Sequence, residues 1–250
     1  MEYLVDRKVF NDLIPKLNRL GGIAENICQR TGENGRGLFC LDPKLKSKIF
    51  IPRNLLINLE SIGLINGKLM INPQSNYSQE VKDFFEHYSD QYSWGGGGKE
   101  IVEKFEKGLI SFPLELKEIL KSYKIIDIFS RNNISFEQSV CLQFCLSRTF
   151  IFEGKNVVVP MLELINHSPK SQPILVSEKG FRQPDIPLLN EEITQKCCLA
   201  SPLFRWSTVG FTCEEQIVFS LPFEINLSYV GVRILCEGSL VNSDVIDFKK

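Results

Sequence analysis

The chain holds only two histidines, His87 and His167, and the second sits in the stretch most able to carry chemistry. Residues Val157 to Pro169 read Val-Val-Val-Pro-Met-Leu-Glu-Leu-Ile-Asn-His-Ser-Pro. A β-branched apolar run ends at Pro160, a short apolar segment follows, and Asn166-His167 comes next before the chain turns out at Ser168-Pro169. Polar groups that follow a buried run are held rigidly by it, which is how a binding site is built. An imidazole there can ligate a metal, move a proton or hold a ligand. Taken alone, His167 reads as a hydrogen-bonded structural histidine, and His87, on a charged helix, as solvent-facing. Two histidines without suitable partners exclude a histidine-rich metal site.

Other chemistry-bearing patterns are weaker. The eight cysteines, Cys28, Cys40, Cys141, Cys145, Cys197, Cys198, Cys213 and Cys236, contain no Cys-x-x-Cys pair, so neither a zinc site nor a disulfide framework is indicated. Cys141 and Cys145 lie one helical turn apart in an apolar run, where a free thiol behaves as a small hydrophobe. Gly95 to Lys99 lacks the Ser or Thr of a phosphate loop and follows a helix, so it reads as a flexible joint. Gly32-Glu-Asn-Gly-Arg-Gly-Leu-Phe-Cys is a glycine-rich turn entering a strand. It is not a dinucleotide fingerprint, because the Gly-x-Gly-x-x-Gly spacing is absent and no helix follows. Its backbone faces a ligand or is simply a turn.

The elements that must position these groups can be read from periodicity. Val9 to Leu20 has helical spacing and stops at Gly21-Gly22. Ser47 to Pro52 reads as a strand. Residues 78 to 94 form an amphipathic helix on Val81, Phe84, Phe85 and Tyr88. Further helical pieces are expected from Lys99 and from Pro113 to Tyr123, and another over Phe136 to Arg148 with Val140, Cys141, Phe144 and Cys145 inward. Short strands follow at Ile174 to Val176, Lys196 to Leu199, Gln216 to Leu221 and Val230 to Leu235, and Asp247 to Lys250 is expected to fray. The middle is therefore helical and both flanks are strand-rich.

At 250 residues, 43% hydrophobic and 24% charged, the chain has the makings of a sizeable core. The formal charge of −1, from 29 basic and 30 acidic residues, argues against a nucleic-acid binder, which usually carries a basic excess. No apolar run approaches the roughly 18 residues of a membrane span. The first residues lack the basic and apolar regions of a signal peptide, so a cytoplasmic or nuclear location is expected.

Three elements in order carry a resemblance: Gly35-Arg-Gly-Leu-Phe, Leu146-Ser-Arg-Thr-Phe, and Pro160-Met-Leu-Glu-Leu-Ile-Asn-His-Ser. Together they resemble the SET-domain protein methyltransferases, within them the group of the Rubisco large-subunit lysine methyltransferase and the actin-histidine methyltransferase. The likeness covers roughly residues 20 to 230, including the spacing to Ile51-Pro-Arg-Asn-Leu-Leu-Ile and the helical insert. It implies an α+β fold of small β-sheets with a knotted C-terminal segment. The corresponding domain plan is residues 1–74 and 149–250 as the two halves of the SET domain and 75–148 as a helical insert. It implies S-adenosyl-L-methionine as cofactor. The backbone around Asn34, Gly35 and Arg36 would border its pocket, Arg148 would pair with its carboxylate, and Asn166 and His167 would hold its amino and adenine groups. Glu163 and Leu164 would line the same pocket, where the family more often has Asp. The implied activity is methyl transfer to a lysine, or less readily a histidine, of a protein substrate.

The family's Ser-Tyr-Gly pattern is altered here to Ser220-Leu221-Pro222, with Asn226 in its place. Leu221 thus stands where the tyrosine of the transfer channel is expected, and Tyr229 is the nearest replacement. The helical substrate-binding domain usual in the group is also expected to be missing. A catalytically degenerate cofactor-binding or protein-binding module is the alternative reading.

Overall fold

The computed structural model describes residues 8–32, 35–42, 44–95, 103, 114, 135–168, 171–183, 192–196, 217–221, 236–242 and 245–249, the last three stretches by backbone alone. The expected helices after Lys99 and Pro113, the strand at 230–235 and the knotted segment lie outside the described residues, apart from single positions. The architecture is α+β, with several small sheets and few helices. Contacts divide it into two compact units, Met1–Cys197 and Cys198–Lys250.

The first unit begins with β1 (Lys8–Val9), followed by α1 (Ile14–Arg19), β2 (Ile23–Glu25), β3 (Ile27–Gly32), β4 (Gly35–Cys40) and β5 (Lys48–Pro52). The expected helix over Val9 to Leu20 is shorter than its pattern. Val9 pairs with Cys28 in a strand, residues 11–13 form a turn, and Pro15 sits in the first helical turn, where proline costs no hydrogen bond. Phe10, Leu13 and Leu17 are all buried, so burial rather than helix continuity set their spacing. The short strands β6 (Ile57–Asn58), β7 (Ile62–Ile65) and β8 (Lys68–Ile71) follow. Asn66-Gly67 joins the last two with φ of 52° and 75°, the paired positive angles of a tight hairpin.

Helix α2 (Gln79–Tyr92) and helix α3 (Phe136–Leu146) form the helical part. The inward faces expected from spacing are buried: Val81, Phe84, Phe85 and Tyr88 on α2, and Val140, Cys141, Phe144 and Cys145 on α3. Each such side chain contributes about 1.5–3 kcal/mol through burial. Trp94, just past α2, meets Phe144 edge-on at 5.3 Å. Cys141 and Cys145 are free and buried. The Cys145 thiol is pushed well up by its hydrogen bond with Cys141 and by burial, as befits a structural cysteine.

His87 is not solvent-facing. Its Nε2 lies 2.5 Å from Asp12 Oδ2 and its side chain is 28% exposed. The turn at residues 11–13 sets Asp12 over α2, where the Tyr92 hydroxyl also donates to Oδ1 at 2.7 Å. The Tyr92 hydrogen bond outweighs the opposing effect of burial and, with a lesser contribution from His87, holds the Asp12 carboxyl below its usual value.

After α3 come β9 (Thr149–Phe152), β10 (Lys155–Val158), a 3-10 turn at Leu162–Leu164, β11 (Asn166–His167), β12 (Leu175–Ser177), β13 (Gly180–Arg182) and β14 (Glu192–Gln195). Of the strand expected at Lys196–Leu199 only Lys196 is described, just past β14, which bridges β4 and β11. The sheet orders are β1-β3-β4-β14-β11, β12-β13-β5-β2 and β6-β10-β9.

The second unit contributes an antiparallel sheet of β15 (Ile217–Leu221), β16 (Cys236–Asn242) and β17 (Val245–Lys249). The expected frayed end is thus a strand up to Lys249, held by pairing with β16. Among the described residues no helix is long and apolar enough to cross a membrane, and no cluster of metal-ligating side chains occurs.

Candidate functional site

The five-stranded sheet brings together two sequence motifs more than a hundred residues apart. β3 and β4 pair as far as Gly32 with Gly35, and Asn34 lies outside the described residues. β14 then pairs antiparallel with β4 through Ile193 and Leu38, and parallel with β11, Asn166 facing Thr194 and His167 facing Gln195. The Asn166 amide donates to Glu192 Oε1 at 2.8 Å. Gly37 leaves room for that amide: a Cβ there would lie 2.5 Å from Asn166 Nδ2. The second glycine of the Gly-Arg-Gly turn is therefore spatial in purpose. Arg36, beside it, donates to the Ser93 carbonyl at 3.0 Å.

The approach to Asn166 is buried throughout, from Val157 to Ile165. Met161 adopts φ 66° and ψ −46°, and the Leu162 N–H bonds the Pro160 carbonyl at 2.8 Å. This is a γ-turn of positive φ, a strained form that costs on the order of 1–3 kcal/mol and persists only when its surroundings hold it. The turn aims Glu163 inward, with its side chain at 0% exposure.

A carboxylate in such a place must be paired. The Tyr88 hydroxyl donates to Glu163 Oε1 at 2.6 Å, and Arg148 Nε lies 3.1 Å from Oε2. Burial, then the Glu163 charge, pushes the Tyr88 phenol well above its usual range, so it remains a donor. Arg148 leaves the end of α3 with its guanidinium 3.9 Å over the Phe144 ring. Its Nη1 donates to Ser147 Oγ at 2.9 Å and more weakly to the Phe144 carbonyl at 3.4 Å. Nη2 meets no partner among the described residues, and the side chain is 32% exposed. Arg148 thus keeps the N–H groups of Nη2 for an acceptor such as a carboxylate.

Of the residues singled out from sequence, Gly35, Arg36, Asn166 and His167 share one sheet, and Arg148 and Glu163 form one ion pair. Leu164 is buried, and His167 is half-buried in β11. Leu221 ends β15 in the second unit, paired with Cys236, and Tyr229 lies outside the described residues. Tyr88 and Glu192 belong to no motif and were missed. Tyr88 was legible only as a buried helix position, and nothing local marks Glu192.

In this α+β chain the glycine hairpin and the Asn-His strand share one sheet, and Arg148 pairs with the buried Glu163. No protein-family model matches the sequence, and no curated protein matches it. Among solved structures, the chain is similar to the SET domain of LSMT bound to lysine and AdoHcy, at 14% identity and a TM-score of 0.45, covering 94% of this chain and 67% of that one. It is likewise similar to Rubisco LSMT bound to AdoMet, at 15% identity and a TM-score of 0.45, covering 92% and 65%. The chain spans about two thirds of the length of these proteins.

Proposed function

We propose that this chain is a SET-type protein methyltransferase that uses S-adenosylmethionine to methylate a protein lysine, or secondarily a histidine. The observation that supports it most is the meeting of the Gly35–Gly37 strand and Asn166-His167 in one sheet, with Gly37 making room for Asn166. The donor set fits the cofactor. Arg148, whose Nη2 meets no partner among the described residues, would take its carboxylate. The backbone of Asn34 to Arg36 and of Asn166-His167 would take the amino and adenine groups. Glu163, fully buried behind Arg148, would act on the guanidinium rather than touch the ligand.

When bound, the cofactor supplies a sulfonium methyl that already carries its leaving group. The chain's own task is then positioning more than acid–base work. A lysine must arrive deprotonated, well below its reference pKa near 10.4, which a desolvated channel favours. Residues 75–148 would form an insert between the two halves of the catalytic domain.

A second reading is a binding module without transfer activity. It is favoured by Leu221, which ends β15 where the family's tyrosine is expected and has no proton to donate. Calorimetric titration with S-adenosylmethionine, followed by transfer of tritiated methyl to lysate proteins, separates the two. Binding with transfer supports the enzyme, and binding without it supports the module. No binding at tens of micromolar sinks the enzyme and the cofactor-binding form of the module. A Leu221→Tyr variant that gains transfer identifies the missing group.

A further inference from the structure

Tyr88 carries a hydroxyl where a phenylalanine would fill the space equally well. The ring is fully buried and stacks on Phe84, with centroids 6.3 Å apart. A buried hydroxyl is tolerated only when it is hydrogen-bonded, so its partners say what it is for. Its partner lies just past the Met161 turn: Glu163 Oε1 accepts from it at 2.6 Å. The positive-φ residue Met161 lies two residues before Glu163, and β11 begins three residues after Glu163 with Asn166. The carboxylate that Tyr88 holds is also the partner of Arg148.

We propose that Tyr88 is a positioning residue for the ligand site, its hydroxyl pinning the strained Pro160–Glu163 turn and through it the stations of Arg148 and Asn166. The inference rests on the reading of this site as a cofactor pocket. In this arrangement helix α2 does more than fill the core: it sets the geometry of groups that it does not present to the ligand. Removing the hydroxyl deletes no formal charge, but it takes from the buried Glu163 carboxylate the donor that ties it to α2.

The test compares Tyr88→Phe with Val81→Ala, a buried α2 change seven residues from Tyr88. S-adenosylhomocysteine is titrated calorimetrically well below each melting temperature, and hydrogen exchange is followed at residues 162–166. The expected result is a fivefold or greater rise in Kd for Tyr88→Phe with faster exchange at the turn, against less than a twofold change for Val81→Ala. An unchanged Kd in Tyr88→Phe, or equal losses in both variants, overturns the inference while leaving the cofactor reading intact. Absence of binding to the wild-type protein overturns both. If Tyr88→Phe does not fold, exchange on the wild-type protein decides. Turn amides protected to the level of the α2 core support the tether, and turn amides that open while α2 stays protected refute it.

Discussion

Replacing Gly37 by alanine puts a methyl carbon 2.5 Å from Asn166 Nδ2 and 3.1 Å from Glu192 Oε1. Ordinary contact begins at 3.4 Å, so the overlap with the amide is about 0.9 Å and something must move. The amide can swing away, which breaks its 2.8 Å bond to the Glu192 carboxylate. Such a bond to a charged acceptor is worth about 1.5–3 kcal/mol, and its half-buried position favours the lower end. Otherwise β4 must shift against its neighbours, with a comparable packing cost. A loss of about 1.5–2 kcal/mol follows, which for a chain of this size lowers Tm by roughly 3–8 °C. Chemical denaturation and thermal melting measure it. Adding Asn166→Ala removes the obstructing amide, so the Gly37→Ala cost should shrink by about 1 kcal/mol in that background. A Gly37→Ala protein that melts within about 1 °C of wild type would refute the claim that this glycine makes room for Asn166. Full additivity of the two changes would refute the specific contact.

Arg148→Met leaves the fully buried Glu163 carboxylate without its guanidinium, and denaturation should show a loss of about 3 kcal/mol, the low end for a broken buried pair because Arg148 is itself partly exposed. The same protein should lose affinity for S-adenosylhomocysteine but not for 5′-methylthioadenosine, which has no carboxylate. Asp12→Asn tests the contact between α2 and the turn at residues 11–13. The folded carboxyl is held below its usual 3.8, so its contribution is complete above that value and fades as pH falls through the folded pKa. Melting curves of variant and wild type should therefore differ at pH 7 and converge once the pH has fallen below the folded pKa; a difference that persists in stronger acid argues against the ionised carboxylate. Cys141 and Cys145, buried and with the Cys145 thiol raised, should be labelled by a thiol reagent at pH 8 no faster than the protein unfolds. Rapid labelling of either in the native state would show that α3 is not packed as described.

Much of the helical part was legible because helical periodicity is a local property. The inward faces of α2 and α3 followed from spacing alone, and so did the buried approach to Asn166. The front of α1 was misread for the same reason: Phe10 and Leu13 keep helical spacing while lying in a turn, since burial demands only that they point inward. The Gly-Arg-Gly turn and the Asn-His pair, which carry the resemblance, lie in one sheet with β14 between their strands.

What only the tertiary structure decided is how those pieces are held. Nothing in residues 192–195 announces a strand inserted between the hairpin and β11, because strand partners are chosen across the chain rather than along it. The pairing of His87 with Asp12 spans 75 residues, as does that of Tyr88 with Glu163. Periodicity reports which face of an element is buried, and a tyrosine there looks like any other large apolar residue. Which polar atom its hydroxyl meets depends on where the strained turn at Met161 comes to rest, and that is settled by packing.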